Sequence, residues 1–360
     1  MSPPMDPPAA TLEDSARHVV GAALSVLPDR VVRDPQLLAF AELIGGPEDG
    51  PVAVEGGRTQ WSVGGPAASD VRLVQAPCGV VAFEPAEMTV QVRAGTTLAE
   101  LDAVLAAEGQ EVALRGFDPA ATVGGVLSVG RSGITRLGHG PIRDTLLQAR
   151  YVSAEGLLVT AGGPTVKNVT GFDLPRLLVG ALGTVGLLAE VILRTRPRPR
   201  RTRWMAGPAD PFAVRDALYR PISLLWDGTV VWVLLEGHAA DVDQQGAVAA
   251  TLGLVPVEGP PPLPAGRRSL DPGRLRSLAS PETGHGAGGA AFVAEIGVGV
   301  LHGRAPLPAG VQPPPPDPAV VRLNHAIRDA FDPTGRLNPG RDPLRADLEP
   351  ADQERGERGW

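Results

Sequence analysis

Apolar residues recur at two spacings along the chain, one helical and one extended. Leu12, Ala16, Val19, Val20, Ala23 and Leu24 fall about a helical turn apart, which predicts a helix over residues 11–27 with Thr11 as its N-cap. Short apolar runs at 51–54, 72–75, 80–83 and 88–92, parted by glycines, predict strands joined by tight turns. Helical spacing returns at Leu98, Leu101, Val104 and Leu105. Thr97 and Glu100 there form a capping-box pattern, and Gly109 sits where such a helix stops. Runs at 146–152 and 157–160 flank Ser153-Ala154-Glu155-Gly156, a hairpin pattern, and a long apolar run at 185–193 predicts one further strand.

The pattern changes at Arg194. Six arginines between 194 and 203 alternate with Pro197 and Pro199, which forbids a regular helix and predicts an extended linker. Beyond it the spacing predicts helices near 211–218 and 242–252, and strands at 222–226, 229–236 and 291–300. Proline-rich stretches at 256–264 and 306–318 read as loops, 320–331 as a short helix, and the charged stretch after Arg345 as a frayed tail.

Composition narrows the function classes. A net charge of −7 argues against a nucleic-acid binder, the arginine run being a local exception. Cys78 is the only cysteine, so the chain forms no internal disulfide and ligates no iron–sulfur cluster by itself. No run of about eighteen apolar residues is present, and the first ten residues lack the basic and apolar regions of a secretion signal. A cytoplasmic setting without a membrane span is expected. The histidines number 6 and are scattered without acidic partners at ligand spacing, so no metal site is expected.

Three glycine-rich segments carry candidate chemistry. Gly56-Gly57-Arg58-Thr59 directly follows a predicted strand, where backbone N–H groups can turn inward around phosphate oxygens; a plain strand–loop connection fits equally. The Gly-x-Gly-x-x-Gly dinucleotide spacing is absent. Thr122-Val123-Gly124-Gly125 and Gly130-Arg131-Ser132-Gly133 would let backbone lie against a flat ring, with Thr122 and Ser132 as hydrogen-bonding groups; the alternative is a glycine-rich surface loop. The third runs from Lys167-Asn168-Val169-Thr170-Gly171-Phe172-Asp173 to Gly183-Thr184-Val185-Gly186. Lys167 is the only lysine in a chain otherwise using arginine.

Taken together, and with Asp332-Pro333-Thr334-Gly335-Arg336-Leu337-Asn338-Pro339-Gly340 near the C-terminus, these segments resemble the FAD-binding domain of the vanillyl-alcohol-oxidase, or PCMH-type, flavoproteins. Within that family they most resemble the smaller FAD-binding subunits of bacterial glycolate oxidases. Gly180-Ala181-Leu182-Gly183 stands where the larger subunits carry an acidic Gly-Ser-Glu-Gly, and Arg58 stands where the family often has a small residue.

The resemblance implies an α+β fold: an N-terminal tail and helix over 1–46, an FAD-binding domain of two α/β subdomains over 47–198, a reduced α+β cap over 199–330, a returning segment over 331–345 and a flexible tail over 346–360. It implies that Gly56, Gly57, Arg58 and Thr59 hold the pyrophosphate. Thr122, Gly124, Gly125, Ser132 and Gly133 would line the flavin, and Gly183, Thr184 and Val185 would meet the adenine or the ring edge. Lys167 and Asp173 are either cofactor contacts or a loop fastening. No histidine or cysteine stands beside the phosphate loop in the pattern used for covalent attachment, so dissociable FAD is expected.

The implied activity is that of a redox subunit oxidising a small 2-hydroxy acid such as glycolate. Its partners would be a larger FAD-binding oxidase subunit and a separate iron–sulfur subunit, with any contact with the inner membrane made through them. The alternatives are a stand-alone oxidase of another alcohol or sugar, and a non-catalytic flavin-binding scaffold. Such oxidation needs a base for the hydroxyl proton and a cation for the carboxylate. His302 with Arg304 is the first candidate pair, and His139 the second.

Overall fold

A computed structural model describes residues 33–163, 173–278, 292–303 and 316–345. The helix expected at 11–27, the segment 167–172 and Arg304 lie outside the described residues.

The first element is a helix that the apolar spacing did not predict, Pro35–Ile44. Asp34 caps it by accepting from the N–H groups of Gln36 and Leu37, and it buries Leu37, Phe40 and Ile44. Strands β1 (Val52–Val54) and β2 (Arg72–Val74) pair in parallel, and Val52 also bridges Leu337, so the C-terminal segment forms part of this layer. Arg336 fastens that segment by donating to the carbonyls of Ile44, Gly45, Gly50 and Ala154.

Strands β3 (Val80–Glu84), β4 (Thr89–Arg93), β6 (Leu146–Val152), β7 (Leu158–Gly162) and β8 (Leu187–Arg194) form an antiparallel five-stranded sheet in the order β3-β4-β8-β6-β7. The central strand β8 is buried along its length up to Arg194, which is why it reads as an unbroken apolar run. Helix Leu98–Ala107 carries the capping box seen in the sequence, and with helix Val123–Val129 it contributes to the core beside the sheet. On the other side Leu187 and Ala189 of β8 pack with helix Pro35–Ile44.

The arginine run is not a free linker. Within it, β9 (Arg196–Pro197) pairs with β5 (Gln110–Glu111), and β10 (Arg201–Pro208) opens the next sheet. Proline fits extended backbone, and the arginines find carboxylates: Arg196 with Glu111 at 2.5 Å, Arg198 with Asp102 at 2.5 Å, and Arg201 and Arg203 with Asp243 at 2.6 and 2.7 Å.

The second sheet has seven strands in the order β13-β10-β12-β11-β15-β16-β14, all antiparallel. Its strands are β10, β11 (Ser223–Trp226), β12 (Val230–Gly237), β13 (Val255–Val257), β14 (Arg267–Ser269), β15 (Phe292–Glu295) and β16 (Val300–Gly303). The single strand expected at 291–300 is therefore two, because Gly297 and Gly299 take positive φ of 82° and 85° and reverse the chain. Helices Pro211–Ala217 and Ala239–Thr251 pack on one face, over a core that includes Leu224, Val233 and Leu301. Among the described residues no helix is long and apolar enough to cross a membrane.

Candidate functional site

The cleft is built from four segments far apart in sequence. The first follows β1. The Glu55 N–H still bonds the Val74 carbonyl at 2.8 Å, after which the chain leaves the sheet. Among the described residues, the N–H groups of Gly56, Gly57, Arg58 and Thr59 bond no backbone carbonyl, and Arg58 takes a left-handed φ of 54°. Consecutive backbone donors left without a carbonyl, with one residue left-handed, are the kind of backbone that can accept an anion. A Cβ on Gly57 would overlap the Ala120 carbonyl oxygen, and one on Gly56 would overlap Thr122 Oγ1, so the two glycines permit the loop to lie against the second segment.

That second segment is helix Val123–Val129 and its cap. Thr122 Oγ1 accepts from the Gly125 N–H at 3.2 Å, and the Gly124 N–H donates to the Ala94 carbonyl at 2.8 Å, seating the helix on the end of β4. The third is the turn at Leu182 and Gly183, both at positive φ (53° and 74°) and anchored by the Leu182 N–H to the Ser128 carbonyl at 2.8 Å. The fourth is the C-terminal segment, which contributes Asn338 and Arg341. Together they line one cleft, whose space is about 850 Å³ with the open solvent at its mouth included.

Residues 47–162 match the family model of the FAD binding domain. They form an FAD-binding domain of the PCMH type. The chain is 29% identical to glycolate oxidase subunit GlcE of Escherichia coli (strain K12), over 53% of this chain and 57% of that one. It is 31% identical to D-lactate dehydrogenase of Archaeoglobus fulgidus over 44% of this chain and 36% of that one. Glycolate oxidase subunit GlcD of Bacillus subtilis is 37% identical over 22% of this chain and 17% of its own. The matches thus span little more than half of the first relative and about a third of the second. Among solved structures, alkyldihydroxyacetonephosphate synthase shares the fold with a TM-score of 0.60 at 13% identity, covering 84% of this chain and 74% of that one.

The cleft's chemistry suits FAD. The unpaired N–H groups at 56–59 complement a diphosphate, and Ala94, Leu182, Leu187 and Leu188 offer apolar wall to a ring. Asn338 donates its Nδ2 to the Leu182 carbonyl, which fixes the amide orientation and leaves Oδ1 buried without a partner. A hydroxyl or amino group of FAD would satisfy it.

Of the residues named from the sequence, Gly56, Gly57, Arg58, Thr59, Thr122, Gly124, Gly125 and Gly183 line this cleft. Thr184 and Val185 do not: the Thr184 hydroxyl donates to the Ala181 carbonyl at 2.7 Å, and Val185 belongs to the core of the first sheet. Ser132 and Gly133 are also outside the lining. Ser132 Oγ accepts from the Ile142 N–H at 3.2 Å, and Gly133 packs on the Arg115 carbonyl. Asp173 pairs with Arg176 at 2.7 Å. Sequence reasoning missed Trp61, Asn338 and Arg341 as lining residues; the C-terminal pattern was legible, but no signal in it assigned those side chains to the cleft.

His302 lies in the second sheet, not on the cleft wall. Its Nε2 is 2.7 Å from Glu295 Oε1, and both side chains are buried. Strand alternation places them on the face opposite the helices, because Leu301 and Ala294 point into the core beneath the helices. Glu236 of β12 is on that same face, since its neighbour Leu235 points into the core. It meets the FAD-binding domain directly: Arg115 Nη1 lies 2.7 Å from Glu236 Oε1, and His139 Nε2 lies 3.4 Å from Oε2. Burial pushes the Glu236 carboxyl up, but the His139 hydrogen bond and the Arg115 guanidinium outweigh it and hold it below the ordinary carboxylate range. His139 Nδ1 is buried without a partner.

Proposed function

We propose that the chain is an FAD-dependent oxidoreductase, the flavin-binding redox subunit of a complex that oxidises a small 2-hydroxy acid, glycolate first among them. The observation that carries this reading is the convergence of the 56–59 loop, the 122–125 helix start and the 182–183 turn on one cleft. The relatives named glycolate oxidase subunits and D-lactate dehydrogenase support the substrate class.

Bound FAD would accept the carbinol hydrogen with its electron pair, while the hydroxyl proton passes to a base and the 2-oxo acid is released. His302, oriented by Glu295, is our candidate for that base, and the sheet face it shares with Glu236 our candidate for the substrate wall. Arg304, the carboxylate clamp in this proposal, lies outside the described residues. With Cys78 as its only cysteine, the chain relies on a separate iron–sulfur subunit to carry electrons on, beside a larger FAD-binding oxidase subunit. Among the described residues the cleft wall contains no histidine or cysteine, which supports non-covalent FAD.

The purified chain should show a flavin absorbance spectrum, release FAD on denaturation and, assembled with its partners, bleach under anaerobic glycolate. Colourless protein that stays colourless when FAD is added would remove the flavin reading. Bleaching by D-lactate but not glycolate would move the substrate within the 2-hydroxy acids.

A further inference from the structure

Two arginines flank the indole of Trp61 at the cleft, and their circumstances differ. The Arg58 guanidinium lies 5.3 Å from the ring centroid and the Arg341 guanidinium 4.7 Å. Arg58 is exposed and already paired, its Nε 2.5 Å from Glu55 Oε1. Glu55 itself lines the cleft, so this pair adds no net charge to the wall.

Arg341 is buried at 4% exposure and lines the same cleft. Among the described residues it has no carboxylate partner. Burial alone acts on its guanidinium, pulling its pKa down. Both of its hydrogen bonds use Nη1, to the carbonyls of Val63 and Gly65. Nε and Nη2 make no bond among the described residues, yet neither is sealed from solvent. An arginine remains charged even when desolvated, so a buried guanidinium without an acid calls for an anion from elsewhere.

We infer that Arg341 supplies the net positive charge of the cleft and pairs with the diphosphate of FAD, making it a determinant of dinucleotide over unphosphorylated flavin. The inference rests on the FAD-binding reading and goes beyond it. The backbone loop at 56–59 gives orientation, and Arg341 gives the charge that phosphate-free flavin cannot use. Planar N–H groups on a fixed fork suit two phosphate oxygens, whereas the Arg58 charge is already paired with Glu55 through Nε.

Fluorescence titration of the FAD-stripped chain with FAD and with riboflavin tests this at two ionic strengths. Arg341→Gln and Arg341→Met should raise the Kd for FAD at least tenfold, leave that for riboflavin within threefold, and flatten the salt dependence of FAD binding. Arg341→Lys, which keeps the charge but not the fork, should recover part of the FAD affinity. Equal losses for FAD and riboflavin would mean that Arg341 acts only by fastening the 63–65 backbone, and unchanged FAD affinity would mean that it carries no charge role; either overturns the inference. If both neutral variants fail to fold while Arg341→Lys does not rescue binding, the fastening role stands and the inference falls. Wild-type chain that binds neither ligand would refute the FAD reading instead.

Discussion

At the scale of single residues, the chemistry separates side chains that hold the cofactor from those that would handle a proton. His302 is the base of the proposed function: a buried imidazole with a carboxylate 2.7 Å from one nitrogen is oriented by that bond, and the other nitrogen would take the proton. His302→Asn should slow substrate reduction of the flavin by about 10²-fold or more, the usual contribution of general base catalysis. FAD affinity should be unchanged, because His302 is absent from the cleft wall. Stopped-flow bleaching of the assembled complex reads the first quantity and flavin fluorescence the second; an unaltered bleaching rate would move the base elsewhere, His139 being next. The sequence singled out His302 from the strand before it, but its partner was beyond reach. Glu295 belongs to the same run, and only the reversal at Gly297 and Gly299 brings it diagonally opposite. Similarly, nothing local in Thr184 and Val185 shows that one step beyond Gly183 the chain turns into the core.

At the scale of elements, the cleft depends on a short helix that the apolar spacing did not predict. Val123–Val129 contains Gly124 and Gly125, poor helix formers, and has only seven residues. It forms because its surroundings favour it: the Thr122 cap, the Gly124 contact with Ala94, and burial of Val123, Val126 and Leu127. Tertiary packing overrides propensity there. Helix Leu98–Ala107, by contrast, was legible to its cap because its signals lie within four residues. Thr122→Ala removes the bond to the Gly125 N–H and should destabilise the chain by about 1 kcal/mol, the typical loss of a Ser or Thr cap. The same change leaves a gap against Gly56, so FAD affinity should fall as well, whereas Thr122→Ser should restore both. Urea midpoints and FAD titrations report the two effects; a stability loss without any loss of affinity would show that the loop at 56–59 holds its shape unaided.

At the scale of the whole molecule, the two sheets are joined by charge as well as by chain. Glu236 reaches out of the second sheet to Arg115 and His139, and Arg115 Nη1 also lies 3.6 Å from Glu111, which holds Arg196 of the crossover at 2.5 Å. Two carboxylates here face two guanidinia, a grouping that no sequence pattern revealed because its members come from four separate segments. The Glu236 carboxyl is held below its ordinary value of 4.5, so the sign of its pH effect is fixed. Its contribution is fully present above the unfolded-state value and is lost as pH falls through the folded-state value. Acidification below about pH 4.5 should therefore loosen the second sheet from the FAD-binding domain before either core melts. Removing one partner from a fully buried pair typically costs about 3–5 kcal/mol, but here only Glu236 is nearly solvent-free, at 3% exposure, while Arg115 is 37% exposed and its share is screened. Glu236→Gln keeps the shape and part of the hydrogen bonding, so a loss of about 1–3 kcal/mol at neutral pH is expected. The acid limb of the stability profile should also flatten, because the titrating group has gone. Hydrogen exchange across the pH range locates the effect. Protection lost first in residues 230–237 and 136–139 fits a joint that opens by protonation, and uniform loss over both sheets would show that Glu236 contributes no separate hinge.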